Sequence, residues 1–211
     1  MRRVLAENRR IRTREQLHDW LSVELAPYEN LGRMRNLLNL FNVNQGAILR
    51  RHMILLRTTE YHINAGHRLR ALFWKLRLRR LQNRYELHVA LNCCGRGLQI
   101  AHLGPLLMNG SVTVGENCLF HFNTALVAGG TDNGVPTLGS NITVGLGAVV
   151  LGGITLADGI AIGANAVVNK DFSEPNITIA GVPARKISDH GSENWNKGVR
   201  NRRRSEEGPT L

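Results

Sequence analysis

The sequence predicts a mainly β fold: a left-handed parallel β-helix of hexapeptide repeats behind an N-terminal α-helical region. Three observations predict it. Stepping by six from Val114 gives Phe120, Leu126, Asp132, Leu138, Val144, Val150, Leu156, Ile162 and Val168, so nine of the ten positions are large and apolar in a chain that is 43% hydrophobic. The residue after each is often small, as in Gly115, Gly139, Gly145, Ala157 and Gly163. A period of six held over about ten units matches neither the 3.6 of a helix nor the 2 of an ordinary strand, and it is the mark of a stacked-repeat architecture.

Each hexad supplies a short strand and a turn, and three hexads make one triangular coil of about 18 residues. The recurring aliphatic residue points inward and stacks on its equivalent in the next coil. The small residue that follows marks the corner, where a backbone φ that only glycine adopts cheaply is expected.

Upstream of the repeats, Thr13-Arg14-Glu15-Gln16 fits a capping box, with Thr13 as N-cap and Gln16 reaching back. Leu17, Trp20, Leu21 and Leu25 then share one helical face, and Pro27 ends the run. Residues 28–45 are rich in Asn and predict a loop. A long amphipathic stretch runs from Gly46 to Arg84, with a break at Asn64-Ala65-Gly66. Its second half places Leu69, Leu72, Phe73, Leu76 and Leu81 on one stripe, among Arg68, Arg70, Lys75, Arg77, Arg79, Arg80 and Arg84. The expected arrangement packs the stripe on the protein and leaves the arginines in solvent. The alternative is a helix lying on a membrane surface, a peripheral contact. The predicted units are therefore a helical region over 1–84, a repeat domain over 85–187, and a basic, disordered tail over 188–211. Asp132, the one polar residue in phase, lies in Gly129-Gly130-Thr131-Asp132-Asn133-Gly134-Val135-Pro136, whose turn chemistry predicts an excursion from one coil.

The net charge of +11 is unevenly spread. Residues 1–84 carry +12, residues 85–187 carry −2 and residues 188–211 carry +1. The basic N-terminal part contains no nucleic-acid-binding motif and few aromatic residues, so nucleic acid is not the expected partner. No apolar run is long enough for a transmembrane helix, and no apolar segment of a secretory signal follows Met1. Cys93, Cys94 and Cys118 lack zinc-site spacing, so no metal is expected and the thiols are those of a cytoplasmic protein.

The segment His102-Leu-Gly-Pro-Leu-Leu, followed by Met108-Asn-Gly-Ser-Val-Thr and Val114-Gly-Glu-Asn-Cys-Leu, resembles the serine acetyltransferase pattern. The stretches Ile162-Gly-Ala-Asn-Ala-Val-Val-Asn-Lys-Asp171 and Ala180-Gly-Val-Pro-Ala-Arg-Lys186 resemble the C-terminal end of hexapeptide acyltransferases generally. The resemblance covers roughly residues 46–187. It is closest to the short serine-acetyltransferase-like proteins of capsule and surface-polysaccharide gene clusters. It implies an acetyl-CoA-dependent O-acetyltransferase, a homotrimer or dimer of trimers, and a hydroxyl acceptor that is L-serine or a sugar.

By that resemblance His102 is the general base. By arithmetic it falls on a core-phase position, a departure from pattern of the kind found at functional sites. Imidazole titrates near neutrality and suits proton removal from a hydroxyl. The family's orienting Asp would fall at Leu87, beside Glu86, and its second histidine at Val135 before Pro136. Asp132, His121 and, from the helical region, Glu60 are the candidates to replace them. Glu60 is taken as a substrate contact. Ala148 and Ala164 would leave room for the pantetheine arm, and Lys170 and Arg185 would meet the coenzyme's phosphates. A sugar acceptor by the same chemistry and a silent solenoid scaffold are the alternatives.

Overall fold

The computed structural model describes residues 10–28, 44–130 and 134–195. The predicted loop falls mostly outside the described residues, as do Asp132 and the chain from residue 196.

Among the described residues three helices precede the strands: α1 (Arg14–Glu24), α2 (Gln45–Asn64) and α3 (Arg68–Tyr85). The capping box of α1 forms in both directions: Gln16 N–H donates to Thr13 Oγ1 at 3.2 Å, and Thr13 N–H donates to Gln16 Oε1 at 3.1 Å. Asn44 caps α2 by accepting from Gly46 N–H at 2.9 Å. The break between α2 and α3 falls where the Asn-Ala-Gly sequence predicts it. Gly66 takes φ +75 there, a left-handed conformation that costs glycine little.

From Leu87 onward, short strands step in rotation through three sheets. The first contains β1 (Leu87–His88), β3 (Leu106–Met108), β6 (Thr124–Val127), β9 (Val149–Leu151) and β12 (Val167–Val168). The second contains β4 (Thr113–Val114), β7 (Thr137–Leu138) and β10 (Thr155–Leu156). The third contains β2 (Gln99–Ile100), β5 (Leu119–Phe120), β8 (Thr143–Val144), β11 (Ala161–Ile162), β13 (Thr178–Gly181) and β14 (Ala184–Ser188). Among the described residues all pairings are parallel except β13 with β14. In the regular rungs Thr137 pairs with Thr155, Thr143 with Ala161 and Val149 with Val167, each 18 residues on. One rung earlier, Thr113 pairs with Thr137, Leu119 with Thr143 and Ala125 with Val149, each 24 residues on. The additional hexad is the excursion between β6 and β7.

The hexad positions Val114, Phe120, Leu126, Leu138, Val144, Val150, Leu156, Ile162 and Val168 are all at most 2% exposed and stack into one core. The role of the small residues differs from expectation. Gly115, Gly139, Gly145 and Gly163 do not take positive φ. They are small because the next rung is too close: a Cβ on Gly115 would stand 2.5 Å from the carbonyl carbon of Gly139. The left-handed corners come two residues later and belong largely to asparagine, at Asn117, Asn141 and Asn165. Asparagine is among the few residues with a side chain that tolerate that region.

The helices are fastened to the first rungs by a buried ionic junction that sequence reasoning missed. Arg57, at 0% exposure, donates from Nε to Glu24 Oε2 (2.9 Å), from Nη2 to Glu24 Oε1 (2.8 Å) and from Nη1 to Glu60 Oε2 (2.8 Å). It also donates to the carbonyls of Cys94 (3.1 Å) and Gly95 (2.9 Å) and lies 4.8 Å from the Trp20 ring centroid. Glu24 Oε1 accepts from Gly97 and Leu98 N–H. Burial opposes the Arg57 charge, but Glu24 and Glu60 outweigh it and hold the guanidinium protonated. Tyr28 adds a second tie, donating its hydroxyl to Ile100 O and accepting from Ile100 N–H, both at 2.9 Å.

Helix α3 departs from expectation. Leu78, Leu81 and Gln82 are its buried residues, whereas Leu69, Leu72, Phe73 and Leu76 face outward. The predicted stripe divides because packing on α2 and β1 uses the opposite side of the helix. In the predicted tail, residues 188–195 are described, and a helical turn, α4 (Ser192–Trp195), follows β14. There Ser192 is buried, with its N–H donating to Gly159 O at 2.9 Å and its hydroxyl to Asn141 O at 2.5 Å. Among the described residues, no helix is long and apolar enough to cross a membrane.

Candidate active site

His102 lies just after β2, at the corner leading to β3. The repeat arithmetic makes it a core-phase residue, but the structure shows it exposed. Ile100, not His102, pairs with Phe120, and that register is 20 residues long. Two additional residues therefore occupy this corner, and they carry the imidazole out of the core.

Two elements position His102. From the start of α2, Gln45 Nε2 approaches His102 Nδ1 at 3.3 Å, while Gln45 Oε1 accepts from Leu103 N–H at 3.2 Å. The Leu103 bond fixes which end of the carboxamide faces the ring, so the amide N–H donates to Nδ1. A neutral His102 is therefore the Nε2–H tautomer. From the next rung, His121 faces His102 with ring centroids 6.0 Å apart, and Phe122 meets it edge-on at 6.4 Å. His121 is half-buried, and burial first, then the neighbouring His102, lower its pKa from the ordinary value. Its backbone is locked, with N–H donating to Val144 O at 3.0 Å and its carbonyl accepting from Thr124 Oγ1 at 2.9 Å. The corner thus presents one exposed imidazole oriented by an amide, beside a second imidazole biased toward the neutral form.

The other expected site residues are dispersed. Glu60 is buried at 2% exposure, with Oε2 on Arg57 and Oε1 accepting from Asn92 N–H at 2.7 Å. Burial raises its pKa against the opposing pull of Arg57. Both oxygens are spent on joining helix to rung, so Glu60 presents no free oxygen to a substrate. Leu87 is buried in the core, and Glu86, the αL cap of α3, is exposed. Ala148 is 0% exposed within the inner core, so its methyl lines no groove on this protomer. Ala164 is exposed at a turn. Lys170 is exposed with Nζ 5.3 Å from the Phe172 ring centroid. Arg185 is exposed on β14, opposite Ala180 in register. Its neighbour Lys186 is engaged with Glu174 and Asp189, each at 2.6 Å. The signal for Gln45 was present in the sequence only as the first residue after an Asn cap, with nothing to link it to a position 57 residues on.

Among the described residues no cluster of His, Cys, Asp and Glu could hold a metal ion. The three cysteines are free and buried. Burial drives the Cys118 thiol up to about 12, and contact with Cys93, together with burial, raises that of Cys94.

The fold and the paired imidazoles define a class, that of hexapeptide-repeat proteins carrying a surface histidine at a rung corner. Known proteins narrow it. The chain is 35% identical to a serine acetyltransferase from Synechococcus elongatus over 112 residues, 52% of this chain and 45% of that protein. It is 36% identical to the galactoside O-acetyltransferase of Escherichia coli over 89 residues, 36% of this chain and 43% of that protein. The structure of a serine acetyltransferase from Brucella abortus strain S19 in complex with coenzyme A superposes with a TM-score of 0.62 at 20% identity, covering 84% of this chain and 70% of that one. No protein-family model matches the chain. The resemblance to the serine acetyltransferase family thus stands on sequence and on fold alike, although the chain spans about half the length of the curated relatives it matches.

Proposed function

We propose that the chain is an acetyl-CoA-dependent O-acetyltransferase whose acceptor is L-serine. Its solenoid would be left-handed and occupy residues 85–187, between a helical region over 1–84 and a tail over 188–211. The observation that carries this reading is the pairing of His102 with His121 at an exposed rung corner of a fold shared with serine acetyltransferases.

In this reading His102 removes the proton from the acceptor hydroxyl as its oxygen attacks the thioester carbonyl of acetyl-CoA. The C–O bond forms, the C–S bond breaks, and the proton passes from the imidazolium to the departing thiolate of coenzyme A. Backbone N–H groups of the corner are the available donors for the transient oxyanion. His121, whose pKa burial and the neighbouring His102 lower, is a second hydrogen-bonding group for the acceptor, and Asp132 in the excursion is the remaining candidate carboxylate. Lys170 and Arg185 would receive the phosphates of the coenzyme at the C-terminal end of the rungs, and Ala164 would leave its arm room. Three free, buried thiols fit a cytoplasmic protein.

A sugar hydroxyl is the second reading. It is favoured by the similarity to a galactoside O-acetyltransferase and by Leu87 at the position of the family's orienting Asp. One experiment separates the readings: thiol release from acetyl-CoA in the presence of L-serine, a panel of sugars, or no acceptor. Release with serine alone supports the proposal, and release with sugars alone replaces serine by a sugar. Absence of release with every acceptor leaves a scaffold and overturns both.

A further inference from the structure

Helix α3 turns an apolar stripe away from the protein. Leu69, Leu72, Phe73 and Leu76 are 86%, 56%, 53% and 59% exposed, whereas Leu78 and Leu81 on the other side are 2% and 6% exposed. At about 100° per residue the four outward side chains span an arc of roughly 100°. Arg70 and Arg77 flank that arc on one side, and Arg68 and Arg79 flank it on the other. The helix carries seven Lys and Arg residues and no Asp or Glu. Among the described residues none of the seven forms an ion pair. The Arg77 guanidinium lies 5.4 Å from the Phe73 centroid and 5.3 Å from that of Trp74, so its stem runs along the apolar surface with its charge at the edge.

The stripe and its rim call for different partners, and the occupant must satisfy both. A second copy of this helix would cover the leucines but set seven cations against seven. A nucleic acid would neutralise the arginines but leave the four apolar side chains in water. A bilayer with anionic headgroups accepts the leucines and phenylalanine at its acyl boundary and pairs with the flanking arginines at its surface. We propose that the outward face of α3 docks the protein on an anionic lipid bilayer, with the helix axis in the membrane plane. The proposal is independent of the acyltransfer reading.

The test is co-sedimentation of the full chain with vesicles of phosphatidylcholine containing about one-third phosphatidylglycerol, against vesicles of pure phosphatidylcholine. Binding is expected to the anionic vesicles only, and to weaken as salt is raised. Combining Leu72→Ser with Phe73→Ser should weaken it at least about tenfold, through lost apolar burial. Combining Arg68→Gln with Arg79→Gln should weaken it by about tenfold or more. All four side chains are exposed, so far-UV circular dichroism and the urea midpoint should be unchanged. If the apolar pair alters that spectrum, Leu69→Ser, at the most exposed position of the four, replaces it. Equal binding to neutral vesicles, vesicle binding indifferent to the apolar substitutions, or a wild-type oligomer that dissociates on those substitutions would each overturn the proposal. Duplex DNA that displaces the vesicles and binds without regard to Leu72 and Phe73 would overturn it too.

Discussion

Gln45 places His102 in the tautomer least suited to act as a base at Nε2. With Leu103 N–H fixing the carboxamide, Nδ1 receives a proton donor and Nε2 keeps the hydrogen. An orienting carboxylate would do the reverse, holding Nδ1–H and stabilising the imidazolium. Catalysis by His102 therefore requires either that Nδ1 take the proton as Gln45 yields, or that the tautomer shift on substrate binding. If His102 is the base, His102→Ala should lower kcat by at least about 10², the lower end for general-base catalysis, with binding of acetyl-CoA little changed. Full activity in that variant would remove His102 from the mechanism. Gln45→Glu supplies the missing carboxylate without disturbing Leu103, since a carboxylate accepts from both N–H groups. It should raise kcat/KM up to about tenfold, the scale of one charge-assisted hydrogen bond at an exposed site, and move the acid limb of the pH–rate profile to higher pH. An unchanged pH profile would show that Gln45 does not orient the ring.

At the scale of elements, the junction between helices and rungs is the part of the molecule with the most to lose. Arg57, Glu24 and Glu60 are held in mutual contact at 2% exposure or less. A buried triad of this kind adds little net stability over an apolar replacement, but removing one partner strands the others. Arg57→Ala should therefore cost about 3–5 kcal/mol, read as a fall in the urea midpoint. A loss below about 1 kcal/mol would mean that water reaches the two carboxylates, and that the junction is not sealed. The same junction shows what was legible in the sequence. The capping box of α1, the break at Gly66 and the hexad core could each be read from residues a few positions apart, because local chemistry decides them. Arg57 reads as one basic residue among many, since apart from Glu60 its partners Glu24, Cys94 and Gly95 lie 33, 37 and 38 residues away and only the fold brings them together. The outward face of α3 is not legible in the sequence for a related reason. Its periodicity reveals an apolar stripe, but which side is buried depends on where α2 and β1 stand. His102 was assigned an inward position because a six-residue count cannot register two added residues at one corner.

At the scale of the whole molecule, what the fold buries makes its stability depend on pH. His52 lies at 0% exposure. Burial pushes its pKa down to about 4 from the ordinary value of 6.5, against the backbone of Leu87, which favours the protonated ring, and with the Arg57 charge adding to the fall. Below pH 6.5 the unfolded chain takes up a proton that the folded chain refuses until about pH 4, so stability falls as pH falls through that window. The full loss is about 3 kcal/mol for this group alone, and urea titrations from about pH 7 down to pH 4.5 should show most of it. His52→Leu should flatten that slope, and an equally steep slope in the variant would exclude His52 as its source.

An assembly of this chain would rest on the outward faces of the rungs. The residues between the inward ones differ from sheet to sheet. In the second sheet the outward register runs Thr113, Thr137, Thr155. In the first it runs Leu107, Ala125, Val149, Val167, with Leu107 49% exposed. An apolar column of that length on a solvent face is costly unless a partner covers it, and a three-sided stack presents such a face once per protomer. We expect this sheet to form the contact of a homotrimer, alone or paired into a dimer of trimers. Sedimentation velocity of the wild type at micromolar concentration should give a trimer or hexamer. Leu107→Asp combined with Val149→Asp should shift it toward monomer while the far-UV spectrum is retained, because both side chains point out of the core. A wild-type monomer would refute the assembly. A trimer that survives both substitutions would move the contact to another face.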